Sequence, residues 1–298
     1  LNYRVYIGSM TMISINTNYG GIFAAKASSQ ATLKVDQAME RLSTGKRINH
    51  ARDDSAGQAI ATRLTAEIEG LAMASRNVAD GQSLVDTAEG ALVETHALLL
   101  RMREISVQAA NGTLSGSDNT ALDAEFQQLV AEIDRISDNT SWAGTKLLNG
   151  DDTGATSTVA TFSFQAGVNN TLADAISVEV TNADSATLGV FVDNSGNNDI
   201  NLSDATNAGL AIVAVDTAIA SISTERGKLG AVSNRMSSTM ANLDQITVNL
   251  TASKGRIEDA DFAAETGNLA KGQILQQAAT AMLAQANASK QQVLTLIR

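Results

Sequence analysis

The chain has 298 residues and a formal net charge of −11; 44% of residues are hydrophobic but only 3% aromatic, and there is no proline or cysteine. The acidic balance argues against nucleic-acid binding, and the lack of cysteine excludes a disulfide framework, a thiolate metal site and a cysteine nucleophile. Apolar surface built mostly from Ala, Leu, Ile and Val, with no proline to break a helix, suits long helices packed closely side by side.

Charge is unevenly spread. Residues 1–50 carry +4 and residues 251–298 carry +1, which leaves −16 on residues 51–250. Between Lys146 and Arg226 there are ten acids and no base, so the middle reads as a solvated acidic region. No run of 18 apolar residues occurs, so no membrane span is expected. Residues 1–10 lack the apolar core of a cleaved signal peptide, so export would take another route.

In chain order, the first element is a helix. Ala24, Ser28, Ala31, Val35, Ala38 and Leu42 follow alternating steps of four and three, the spacing of a heptad seam. Residues 55–110 predict a longer helix or two, with Leu64, Leu71, Val78, Val85, Leu92 and Leu99 at intervals of seven. A loop rich in Gly, Ser and Asn (residues 111–119) ends it. A third helix is predicted over 120–137, striped by Leu122, Phe126, Leu129, Ile133 and Ile136, and a loop holding Trp142 leads to Asn149-Gly150.

Residues 151–204 turn to Gly, Thr, Ser, Asn and Asp, and are expected to hold the only strands. These are the alternating runs 161–164, 176–180 and 188–192. From Asp204 the helical spacing returns and runs from Val215 to Leu250, interrupted by Arg226, Ser233 and Thr247. At the C-terminal end Leu275, Ala279, Met282, Ala286, Ser289, Val293 and Leu296 form a second Ala- and Ser-rich seam. Two such seams bury little when alone, so the end helices need each other or neighbouring molecules. The class expected is mainly α: a long coiled-coil rod made by pairing the two ends, with a small β-hairpin region between. The alternative is a pair of ordinary amphipathic helices in a local bundle.

Several blocks then resemble bacterial flagellins. Residues 42–60, LSTGKRINHARDDSAGQAI, are similar to the N-terminal flagellin signature, as are 75–81, 87–92 and Ile15-Asn16-Thr17-Asn18. Residues 101–112 (RMREISVQAANG), 132–136, 253–261 (SKGRIEDAD), 273–278, 283–287 and the closing Val293-Leu294-Thr295-Leu296-Ile297-Arg298 match as well. The resemblance implies a domain D0 from 12–50 with 255–298. It implies a domain D1 from 51–150 with 205–254, with 151–204 as its hairpin part and at most a small outer excursion. Residues 1–11 precede the usual start of the family and are either an extension or an upstream start, with Met10 or Met12 as the alternative.

The resemblance further implies a structural, non-enzymatic subunit with no cofactor or metal. Such a subunit is exported unfolded by the flagellar type III system, is found outside the cell, and polymerises with itself through its terminal helices. Implied partners are the hook-associated junction and cap proteins and an export chaperone on 273–298. A Toll-like receptor is a further one, through Arg101 and Glu125. Leu100 stands where Gln is usual and Ile105 where Leu is usual, so weakened receptor recognition is expected. The seam residues expected to drive polymerisation are Ala24, Ala31, Val35, Ala38, Leu42, Leu275, Ala279, Met282, Ala286, Val293 and Leu296. A hook–filament junction protein is the alternative function.

Other chemistry is poorly supported. His50 and His96 have no metal-ligand spacing. Asp53 and Asp54 sit where acids cap a helix, and Asp151-Asp152 falls in a turn. Gly70, Gly81 and Gly90 lie within a helical pattern, too far apart for a phosphate loop.

Overall fold

The computed structural model describes residues 17–149, 159–169, 171, 174–190 and 200–296, with side chains described as far as residue 289. The elements run α1 (Tyr19–Thr44), α2 (Ser55–Ala109), α3 (Gly116–Asn139), β1 (Ser141–Trp142), β2 (Thr145–Lys146), β3 (Val159–Gln165), β4 (Ala175–Thr181), α4 (Ala205–Glu258) and α5 (Phe262–Leu296). The protein is mainly α. It forms two compact units, one from residues up to Thr65 together with those from Thr251, the other from Ala66 to Leu250. Residues 1–11, Ile15-Asn16 and Asp151-Asp152 lie outside the described residues.

In the second unit the heptad positions of α2 face inward: Leu71, Val78, Val85, Leu92 and Leu99 are all buried. Between them Ala74, Ala88 and Met102 complete a 3–4 stripe, so one uninterrupted helix forms where the sequence allowed one or two. Phe126 and Ile133 of α3 join it, with Val215, Ile222, Leu229 and Met236 of α4. Strands β3 and β4 pair antiparallel, with Phe162 opposite Val178 and Phe164 opposite Ile176. Period-two alternation buries Ile176, Val178 and Val180 and leaves Ser177 and Glu179 exposed. Gly81 of α2 admits this hairpin closely, since a Cβ there would lie 2.8 Å from Met236 Cε and 3.0 Å from the Phe164 ring.

Two expectations about strands need correction. The loop around Trp142 holds a tiny hairpin, Ser141 paired with Lys146 and Trp142 with Thr145. Its turn residues Ala143 and Gly144 have φ of 50° and 89°, the mirror-type turn that matches strand twist. Conversely, Leu188-Gly189-Val190 is a turn. Leu188 N–H bonds Asp184 O, Val190 N–H bonds Ser185 O, and Gly189 has φ 70°. Leu188 and Val190 are both buried, so the alternation reflected two anchors of a turn. The rest of that run, Phe191 and Val192, lies outside the described residues.

Carboxylates on the helices hold this irregular middle. Glu225, 5% exposed, accepts from Thr181 N–H and Oγ1, each at 3.0 Å. Asp134 accepts from Ser185 N–H at 2.8 Å and from its Oγ at 3.0 Å. Asp123 accepts from Leu202 N–H at 2.8 Å. Arg226, a polar break in the α4 seam, reaches Glu89 of α2 at 3.5 Å.

One stretch of α4 is long and apolar enough to cross a membrane, against the sequence expectation of none. The difference lies in counting: small and polar residues interrupt the apolar run without removing its average apolarity. Ala208, Ala211, Val215, Ala218 and Ile222 of this helix are buried in the core, whereas Leu210 and Val213 are exposed.

Helix α3 starts on a reciprocal cap in which Ser115 accepts from Asp118 N–H while Asp118 accepts from Ser115 N–H and Oγ. The Ser115 hydroxyl and backbone hold the Asp118 carboxyl below its ordinary value of 3.8. A carboxyl depressed in the folded state stabilises above its unfolded value, and that contribution is lost as pH falls through the folded one. Protection of the first-turn amides of α3, taken relative to the unstructured exchange rate at the same pH, is therefore expected to fall below about pH 4, and Asp118→Asn should remove that pH dependence.

Candidate assembly surface

The first unit is built on α1 and α5. Asn18 opens α1 by accepting from Gly21 N–H at 3.0 Å, and Gly45, at φ 72°, closes it by donating to Arg41 O. Cross-helix bonds fix the pairing. Asn18 Nδ2 donates to Ala286 O at 3.3 Å, Gln276 Nε2 to Thr32 Oγ1 at 3.0 Å, and Arg41 to Glu265 at 2.8 Å. As the α1 number rises the α5 number falls by nearly equal steps, so the helices run antiparallel.

Small residues line the seam between them. Ala24, Ala31, Val35 and Ala38 are buried on α1, and Leu42 is half-buried. Facing them, Gly272 and Ala279 are buried, and Leu269, Gln276, Leu283 and Ala286 half-buried. At Gly272 a Cβ would come within 2.8 Å of Val35 Cγ2, so the backbones approach too closely there for a larger residue. Leu275 and Met282, placed in the C-terminal seam by their spacing, lie beside this contact and are exposed. Val293 and Leu296 have no described side chains.

The large apolar side chains point the other way. Phe23 is 75% exposed, Tyr19 73%, Ile274 66% and Met282 64%, joined by Ile22, Leu33 and Met39. An open groove of about 440 Å³ runs between Phe23 and Ala27 on one side and Leu275, Ala278 and Met282 on the other. Stranding so many large apolar groups in water is unfavourable for a lone molecule and marks an interaction surface. The spacing argument missed Phe23, Tyr19 and Ile274 because it sought one inward seam. The usable signal was the presence of large apolar residues off that seam.

The joint leading out of α1 is polar and tightly tied. Lys46 Nζ meets the buried Glu258 at 2.7 Å, Arg47 N–H bonds Glu258 O at 2.7 Å, and Ala260 N–H bonds Gly45 O at 2.9 Å. Asp53 Oδ2 accepts from Asn49 and His50 N–H, chiefly the latter, which lowers its pKa. Asp54 Oδ1 accepts from Gly57 N–H at 2.8 Å at the start of α2. Both acids serve the backbone, and His50 contacts Glu40 at 2.9 Å. Among the described residues no group of His, Asp and Glu could hold a metal ion.

Arg101 and Glu125, on α2 and α3, are exposed and joined at 2.8 Å, with Glu104 also on the Arg101 guanidinium at 3.1 Å. These bonds, that to Glu125 foremost, raise the Arg101 pKa further. Leu100 is exposed beside them, whereas Ile105 is buried in the core.

Antiparallel end helices with small residues inside and large apolar ones outside define a helical subunit with an uncovered apolar face. Residues 15–153 match the bacterial flagellin N-terminal helical region, and residues 212–297 the bacterial flagellin C-terminal helical region. The chain is 45% identical to a flagellin of Halalkalibacterium halodurans over 88% of its own length and 91% of the relative's. It is 41% identical to a flagellin of Bacillus subtilis over 95% and 99% of the two chains. A crystal structure of Bacillus cereus flagellin shares 31% identity, covering 56% of this chain and 88% of that one, at a TM-score of 0.46. The chain belongs to the bacterial flagellin family, the structural subunits of the flagellar filament. Nothing in these matches favours the junction protein over the filament subunit.

Proposed function

We propose that the chain polymerises through the outward apolar faces of α1 and α5, with D0 drawn from 12–50 and 255–298 and D1 from 51–150 and 205–254. One observation carries this reading: the two helices turn their small side chains toward each other and Tyr19, Phe23, Ile274 and Met282 toward solvent. Burying such side chains is worth roughly 1.5–3 kcal/mol each, and a neighbouring copy supplies the cover. Phe23→Ser with Met282→Ser is expected to leave the helix content of the monomer unchanged and to slow seeded elongation at least about tenfold, as the loss of two buried apolar anchors implies. Elongation at the parent rate would refute this surface.

The same reading takes the chain out of the cell unfolded through the flagellar type III apparatus. A chain without disulfides has no covalent cross-link to undo, and its end helices meet through a seam of small residues. The segment 273–298 is the proposed docking site of an export chaperone. Hook-associated junction and cap proteins would adjoin the filament ends. Chaperone capture that survives deletion of 273–298 would refute the first of these roles. Arg101 and Glu125 present an exposed ion pair suited to a Toll-like receptor, with Leu100 weakening the contact and Ile105, being buried, playing no direct part. A receptor-reporter assay in which Leu100→Gln fails to raise the signal would remove that role for Leu100.

A further inference from the structure

Next to the apolar groove lies a second, polar notch of about 230 Å³ between α1 and α5. Lys34 and Arg41 of α1 and Lys271 of α5 line it, with Glu265 as its one carboxylate. Glu265, 8% exposed, is already engaged, one oxygen taken by Arg41 and the other accepting from Asn268 at 3.3 Å. Lys34 and Lys271 make no ion pair among the described residues. Arg41 Nε is buried and has no hydrogen-bond acceptor. Three cations thus line a notch whose single acid is already engaged, and they attract a further carboxylate.

We infer that this notch receives a carboxylate side chain from a neighbouring copy of the chain. The inference deepens the filament-subunit reading and rests on it. Charge complementarity supplies the occupant: residues 51–250 carry −16, whereas the termini that build the notch's unit are net basic. An exposed ion pair in water is weak, but one closed off at an interface gains strength and fixes register between copies. The apolar groove then supplies the bulk of the burial, and the notch selects the alignment.

Two readouts test it on filaments grown from the full chain. In filaments mixed from ¹⁵N-labelled and unlabelled chains, a zero-length carbodiimide cross-linker should give mixed-isotope peptide pairs joining Lys34 or Lys271 to an Asp or Glu. Lys34→Gln with Lys271→Gln should raise the critical concentration about three- to tenfold at low salt and flatten its dependence on NaCl. Lys34→Arg with Lys271→Arg should behave as the parent chain. Both lysines are exposed, so monomer melting should not change. Cross-links from these lysines that stay within one isotope, or a parental salt profile in the glutamine variant, would overturn the notch and leave the filament reading standing. A parent chain that forms no filaments would overturn both.

Discussion

Ala31→Asp is expected to part α1 from α5 and abolish assembly. Ala31 is 4% exposed, in the middle of a seam whose other members are Ala24, Val35 and Ala38. A short carboxylate there enters a seam of buried small side chains, and its burial costs on the order of 3 kcal/mol or more. Alanines offer little apolar burial to offset that. Circular dichroism should show the loss of the α1 and α5 helix content, and seeded filaments should not grow. Ala31→Ser, polar but uncharged and small, is the control and should retain both. Parental helicity in the aspartate variant would show that the seam is looser than its geometry states.

Phe126→Ala should have the largest effect on the second unit. Among the described residues Phe126 is the largest fully buried side chain of this unit, part of a core cluster to which α2, α3 and α4 all contribute. Removing a buried ring leaves both the lost transfer energy and a cavity, about 3–5 kcal/mol in comparable cores. In a unit of this size that corresponds to a fall in melting temperature on the order of 10 °C. A calorimetric scan should place the loss in the transition of the second unit. A shift below about 3 °C would mean that the helices close over the gap.

How much of this was legible in the sequence depends on what each residue had to tell. Leu64 to Leu99 at intervals of seven gave α2 because a heptad of large side chains has one inward solution. The α3 stripe was legible for the same reason, and Ser115 with Asp118 sets its start a turn earlier than apolar spacing alone suggested. The 141–146 hairpin was missed because four residues are too few to show alternation, and its turn is made by Ala143-Gly144 where Asn-Gly or Asp-Gly would have been the clear signal. Leu188 and Val190 misled in the opposite direction, two buried anchors on a turn giving the period of a strand.

The candidate assembly surface was half legible. On α1 the spacing found the inward seam, because Ala24, Ala31, Val35 and Ala38 are both apolar and inward. On α5 Leu275 and Met282 were assigned to the seam with Ala279 and Ala286, but of these four only the alanines join Gly272 and Gln276 at the contact with α1. Apolarity states that a side chain needs covering, not whether its own chain or a neighbour covers it. Close backbone approach selects the smallest residues for the internal contact, which displaces the large ones outward. That displacement could be seen only once both helices were in place.

The central claim is that the terminal helices carry polymerisation, and electron microscopy of seeded growth tests it most directly. The full chain and a chain lacking 273–298 are each added to filament seeds under the same conditions. Long tubular filaments from the full chain, and none from the shortened one, are the predicted result. Filaments of equal length from both would contradict the claim, since the seam on α1 would then have assembled without its partner.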